Sequence, residues 1–93
     1  MIQSFACAET EAIFAGRRSR SLPTDIQPVA RRKLLYLDNA LVLEDLRVPP
    51  GNRLETLRGD RAGRHSIRVN DQWRICFVWG SNGPERVEIC DYH

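Results

Sequence analysis

The sequence predicts an α+β fold in two layers, two N-terminal helices packed on a four-stranded antiparallel sheet. Three observations carry that expectation. Apolar residues recur at helical spacing through the first half of the chain. The run Pro49-Pro50-Gly51-Asn52 interrupts it, because proline cannot continue a helix and glycine favours a turn. Beyond that break the apolar pattern alternates with period two.

Taken in order, Ile2–Phe5 has the composition of a short strand, a possible N-terminal edge strand of the sheet. Ala8–Ala15 reads as a short helix closed by Gly16. Arg17, Arg18 and Arg20 form a basic loop ending at Leu22-Pro23. A longer helix starts near Thr24 or Asp25, both good N-caps, and tolerates Pro28 in its first turn. Its buried stripe is Ile26, Ala30, Leu34, Leu37 and Leu41, with Arg31, Arg32 and Lys33 largely off it. Strands follow at Arg53–Leu57, His65–Val69, Trp73–Trp79 and Arg86–Asp91. The connections Gly59–Gly63, Asn70-Asp71-Gln72 and Gly80–Pro84 are of hairpin type, so the strands should form an antiparallel meander. Trp73, Ile75, Phe77 and Trp79 share one face of the third strand, where core packing is expected, and Arg74, Cys76 and Val78 share the other.

With 93 residues, the chain is expected to form a single domain over 1–93, burying about 60–65% of its unfolded surface. A core that small makes a stabilising partner a natural expectation. Hydrophobic residues at 42% and charged residues at 28% exclude a disordered chain. No apolar run approaches the roughly 20 residues of a membrane span, and the N-terminal segment lacks the basic start and apolar stretch of a signal peptide. Cys7, Cys76 and Cys90 are scattered, without CxxC or Cys/His ligand spacing, which argues against a disulfide framework and a zinc site. We therefore expect reduced thiols in the cytoplasm, with no membrane association, no metal and no cofactor.

The cations are more informative than the net charge of +2. All but Lys33 are arginine, the side chain that binds phosphate through a planar pair of donors. A GC-rich genome would also enrich arginine. Their distribution, however, favours a nucleic-acid contact: Arg47, Arg53, Arg58, Arg61, Arg64, Arg68 and Arg74 face only Glu55, Asp60 and Asp71 over the same stretch. No GxxxxGK[ST], GxGxxG or HExxH motif is present. Metal-free RNA cleavage needs a base for the ribose 2′-hydroxyl, an acid for the departing 5′-oxygen and cations for the phosphorane. Glu55, Arg58, His65, Arg68, Arg74 and Asp91-Tyr92-His93 supply those residue types.

The run Leu54-Glu55-Thr56-Leu57-Arg58-Gly59-Asp60-Arg61-Ala62-Gly63, then Ser66-Ile67-Arg68-Val69-Asn70-Asp71-Gln72-Trp73-Arg74-Ile75, with the closing Asp91-Tyr92-His93, resembles the HigB group of RelE-superfamily toxins. The resemblance covers essentially the whole chain and implies a RelE-like fold whose concave sheet holds the active site. It implies a ribosome-dependent mRNA endonuclease that cleaves in the ribosomal A site, hence a toxin that inhibits translation and growth. It also implies a cognate helix-turn-helix antitoxin of the HigA kind, with operator DNA bound only through the antitoxin complex. By the same resemblance His93 and Glu55 are the proton-transfer candidates, Arg58 and Arg74 the charge stabilisers, and Asp91 and Tyr92 the supports. Arg61, Arg64 and Arg68 are expected to hold RNA or ribosome without doing chemistry.

One position departs from the family pattern. Some members carry a catalytic histidine where this chain has Glu55. Related toxins use a glutamate as general base, so Glu55 is either that base or a surface residue that lowers activity. Two other classes of function stay open on the sequence: a ParE-like gyrase inhibitor on the same fold, and a catalytically weak toxin acting mainly as co-repressor with its antitoxin. His65 reads as incidental.

Overall fold

In a computed structural model, which describes residues 1–59 and 63–91, two helices pack on one face of a four-stranded antiparallel sheet. Helix α1 spans Ala8–Phe14 and α2 spans Gln27–Asn39. The strands are β1 (Glu55–Thr56), β2 (Arg64–Arg68), β3 (Trp73–Gly80) and β4 (Gly83–Asp91), ordered β1-β2-β3-β4. This is the meander expected from three hairpin-type connections. Among the described residues, no helix is long and apolar enough to cross a membrane.

The layers meet as the two periodicities require. Ile26, Ala30, Leu34 and Leu37 of the predicted stripe are buried against Ile67, Ile75, Phe77 and Val87 of the sheet, and Trp73 and Trp79 pack at the margin. A leucine such as Leu34, wholly inaccessible, contributes about 2–5 kcal/mol by the cost of its truncation to alanine. Hydrogen bonds tie the layers as well: the Ile89 amide donates to Thr10 Oγ1 at 3.0 Å, joining β4 to α1. Buried Gln27 accepts from the Ser19 amide and donates to the Ser19 and Leu22 carbonyls, pinning the basic loop to the start of α2.

Four local expectations are corrected. Leu41 is 87% exposed, because α2 stops at Asn39 and Ala40 turns extended (φ −68°, ψ 131°), which takes Leu41 off the stripe. Lys33, expected largely off the stripe, is buried, its ammonium reaching Asn52. The first strand is two residues long where Arg53–Leu57 was expected, since a 3₁₀ turn over Pro50–Asn52 ends with Arg53 in the left-handed region (φ 45°, ψ 59°). The N-terminal segment forms no regular strand. It runs parallel to β4, with one bridge between Phe5 and Val87 and amide bonds from Gln3 to Pro84 and from Ala6 to Val87.

β4 also carries an irregularity that shapes the sheet. Cys76 pairs with Glu88 and Val78 with Glu85, so Arg86 and Val87 together oppose Phe77. Arg86 has φ 52°, and a bulge of this kind bends its strand and increases the local twist.

Candidate functional site

Strand alternation divides the chemistry-bearing residues between the two sheet faces. The pairs Glu55–Ser66, Ser66–Cys76 and Arg68–Arg74 put Glu55, Ser66, Arg68, Arg74 and Cys76 on the face turned away from the helices. At one end of that face lies a cleft of about 280 Å³, lined by Arg53, Glu55, Arg68, Asn70, Asp71 and Arg74. Three guanidiniums there oppose two carboxylates.

Arg74 is the best-held member. It is 8% exposed, and its Nε donates to Ser66 Oγ at 2.7 Å. One terminal nitrogen donates to the backbone carbonyls of Arg53 at 2.6 Å and Ser66 at 3.3 Å. The same nitrogen stands 3.9 Å from a carboxylate oxygen of Glu55, whose side chain is 56% exposed. An oriented guanidinium costs no reorganisation when charge develops beside it, and an accessible carboxylate next to it can take a proton. Arg68 donates to Asp71 at 2.5 Å across the β2–β3 turn. Asn70 fixes that turn by accepting from the amides of Gln72 and Trp73.

The structure thus brings together three of the residues singled out from sequence, Glu55, Arg68 and Arg74. Arg58 is exposed just beyond β1 and does not line the cleft. Arg64 lies on the same sheet face but is paired with Glu88 at 3.1 Å, and its buried Nε finds no hydrogen-bond partner among the described residues. Asp91 pairs with Trp73, on the face opposite Arg74, and accepts from Gln72 Nε2 at 3.0 Å. Arg61, Tyr92 and His93 lie outside the described residues. His65 shares the face of Phe77, its ring 5.9 Å away and its Nδ1 3.1 Å from Thr56 Oγ1. Burial lowers its pKa, which favours the neutral ring.

Sequence reasoning did not single out three contributors. Arg53 was counted only among the cations of the basic stretch and read as part of a strand, and Asn70 and Asp71 as part of a turn, yet all three line the cleft. The proline-glycine break before Arg53 was the available signal that the chain there turns instead of extending. The thiols on this face are held in the neutral form: Cys76 is buried, and the Cys90 thiol is pushed well up by its hydrogen bond with Cys76 and then by burial.

A family model described as the RelE-like toxin of the type II toxin–antitoxin system HigB matches residues 4–93. The chain belongs to the HigB-like toxin family. It is 49% identical over 63 residues to toxin HigB-1 of Vibrio cholerae, a match covering 68% of this chain and 66% of that protein. An uncharacterized protein of Haemophilus influenzae is 34% identical over 67 residues, covering 72% of this chain and 66% of that one. The chain thus matches just under two thirds of the length of each of these relatives. The crystal structure of YafQ from E. coli strain BL21(DE3) superposes with a TM-score of 0.52 at 13% identity, over 94% of this chain and 91% of that one. That last likeness is one of fold, and it agrees with the RelE-like architecture expected from the sequence.

Proposed function

We propose that this HigB-like toxin is a ribosome-dependent endoribonuclease that cleaves mRNA in the ribosomal A site, acting in the cytoplasm. The observation that carries the reading is the accessible Glu55 carboxylate beside the immobilised Arg74 guanidinium, in an arginine-lined cleft on the sheet face free of helices. Glu55 takes the proton of a ribose 2′-hydroxyl, whose oxygen attacks the adjacent phosphorus. Arg74 stabilises the charge that gathers on the phosphorane, and His93 gives a proton to the departing 5′-oxygen. Bonds and protons balance with a 2′,3′-cyclic phosphate on one fragment and a 5′-hydroxyl on the other. Arg58 and Tyr92 support that chemistry, and Arg61, Arg64 and Arg68 hold RNA or ribosome; Asp91, on the face opposite Arg74, takes no direct part.

We also infer a helix-turn-helix antitoxin as the cognate partner, through which the pair reaches operator DNA. The test of the main reading is a cell-free translation reaction with mapped mRNA ends. Cuts within translated codons, absent when ribosomes are omitted, are the expected result. Intact mRNA together with loss of DNA supercoiling would favour gyrase inhibition instead.

A further inference from the structure

Arg53 lines the cleft, but neither the sequence motif nor the proposed chemistry gives it a part. Its backbone adopts the left-handed conformation that a non-glycine residue seldom takes, with φ 45° and ψ 59°. The turn is pinned from beneath. Buried Asn52 accepts from Lys33 Nζ at 2.5 Å and donates to the carbonyls of Leu46 and Val48. The Arg53 amide donates to the Pro50 carbonyl at 3.1 Å, and its own carbonyl accepts from Arg74. The backbone of Arg53 is therefore fixed to Arg74 while its side chain stays exposed at the rim.

The three guanidiniums of the cleft differ in what already occupies them. Arg68 is bound to Asp71, and Arg74 is held by Ser66 and the Arg53 carbonyl beside Glu55. Among the described residues, no ion pair or side-chain hydrogen bond engages the guanidinium of Arg53. An uncommitted planar cation lining the same cleft as Arg74 suits a phosphate oxygen pair, which it can meet with two parallel donors.

We propose that Arg53 is a phosphate-binding residue of this cleft, contacting a phosphodiester of the single-stranded RNA that enters it. The proposal rests on the endoribonuclease reading for the identity of the ligand. Arg53 supplies binding that is equal in the ground and transition states, so its loss weakens association and leaves the chemical step intact.

The test uses the full chain and an RNA oligonucleotide bearing 2′-O-methyl riboses, which lacks the attacking hydroxyl. Arg53→Gln and Arg53→Gly are compared with the parent, the glycine variant suiting the positive φ and so preserving the turn. Both should melt within a few degrees of the parent and bind the oligonucleotide several-fold more weakly. The slope of log K against log salt should shrink by about 0.7, the value for one phosphate contact on a single strand. Arg53→Lys should recover part of the affinity. In ribosome cleavage the half-saturating concentration should rise while the saturating single-turnover rate stays within about two-fold of the parent.

An unchanged salt slope in both variants, or a lost saturating rate with unchanged binding, overturns the role of Arg53 alone. A parent chain that neither binds the oligonucleotide nor cleaves mRNA overturns the RNA reading beneath it. Weakened antitoxin binding with unaltered RNA binding would assign Arg53 to a protein interface and overturn the proposal too.

Discussion

Lys33 of α2 donates a 2.5 Å hydrogen bond to Asn52, and both residues are buried at the junction between the helical layer and the turn that leads into β1. Through Asn52 the lysine fixes the carbonyls of Leu46 and Val48, and through the next residue it fixes the carbonyl that holds Arg74. A polar link inside the fold thereby sets the position of a charge in the cleft.

Asn52→Ala removes the acceptor of a buried ammonium and the donor of two carbonyls at once. Groups left unpaired in this way cost about 2–4 kcal/mol. Urea unfolding should show that loss as a lower midpoint with an unchanged slope. A midpoint equal to that of the parent would mean that the link contributes nothing to stability.

Lys33 also makes stability depend on pH. Burial, then Arg32 and Arg68, lower its pKa from the usual 10.5. Between that lowered value and 10.5 the unfolded chain binds more protons than the folded one, so the contribution of Lys33 to stability rises with pH across that window. The parent should gain stability there relative to Lys33→Met. As the only lysine in the chain, it gives a single Nζ resonance to follow. Titration at or above 10.5 would contradict the burial argument.

Ser66→Ala removes the Oγ that accepts from Arg74 Nε and leaves the guanidinium less restrained. The stability cost should be about 1 kcal/mol, the usual value of one hydrogen bond. Single-turnover cleavage should fall roughly ten-fold at saturation with little change in the half-saturating concentration, because an oriented charge is lost from the transition state. A rise in the half-saturating concentration alone would make the Ser66–Arg74 bond a binding feature.

The layered fold was legible because burial obeys two simple periods. The stripe Ile26, Ala30, Leu34, Leu37 and the face Ile75, Phe77 point to the core as spacing demands. Leu41 broke the rule because nothing in the apolar pattern records where α2 stops. Lys33 broke it because a long side chain can bury its stem and find a polar partner 19 residues away. In the cleft, Glu55, Arg68 and Arg74 were readable from motif and alternation. Arg53 was not, since its place depends on a left-handed backbone that alternation cannot encode. Asp91 was grouped with Arg74 by motif, yet the β3–β4 register puts it opposite Trp73.

The most direct test concerns Glu55, whose exposed side chain can be changed without disturbing the core. We would measure single-turnover mRNA cleavage on programmed ribosomes, with the chemistry of the new ends, for the parent, Glu55→Gln and His93→Ala. The parent should yield 2′,3′-cyclic phosphate and 5′-hydroxyl ends. Each variant should lose on the order of 10²–10⁴ in rate, the range for a general base or acid, while still binding ribosomes. A folded Glu55→Gln protein cleaving at the parent rate would contradict the assignment of the base and reduce Glu55 to a surface carboxylate.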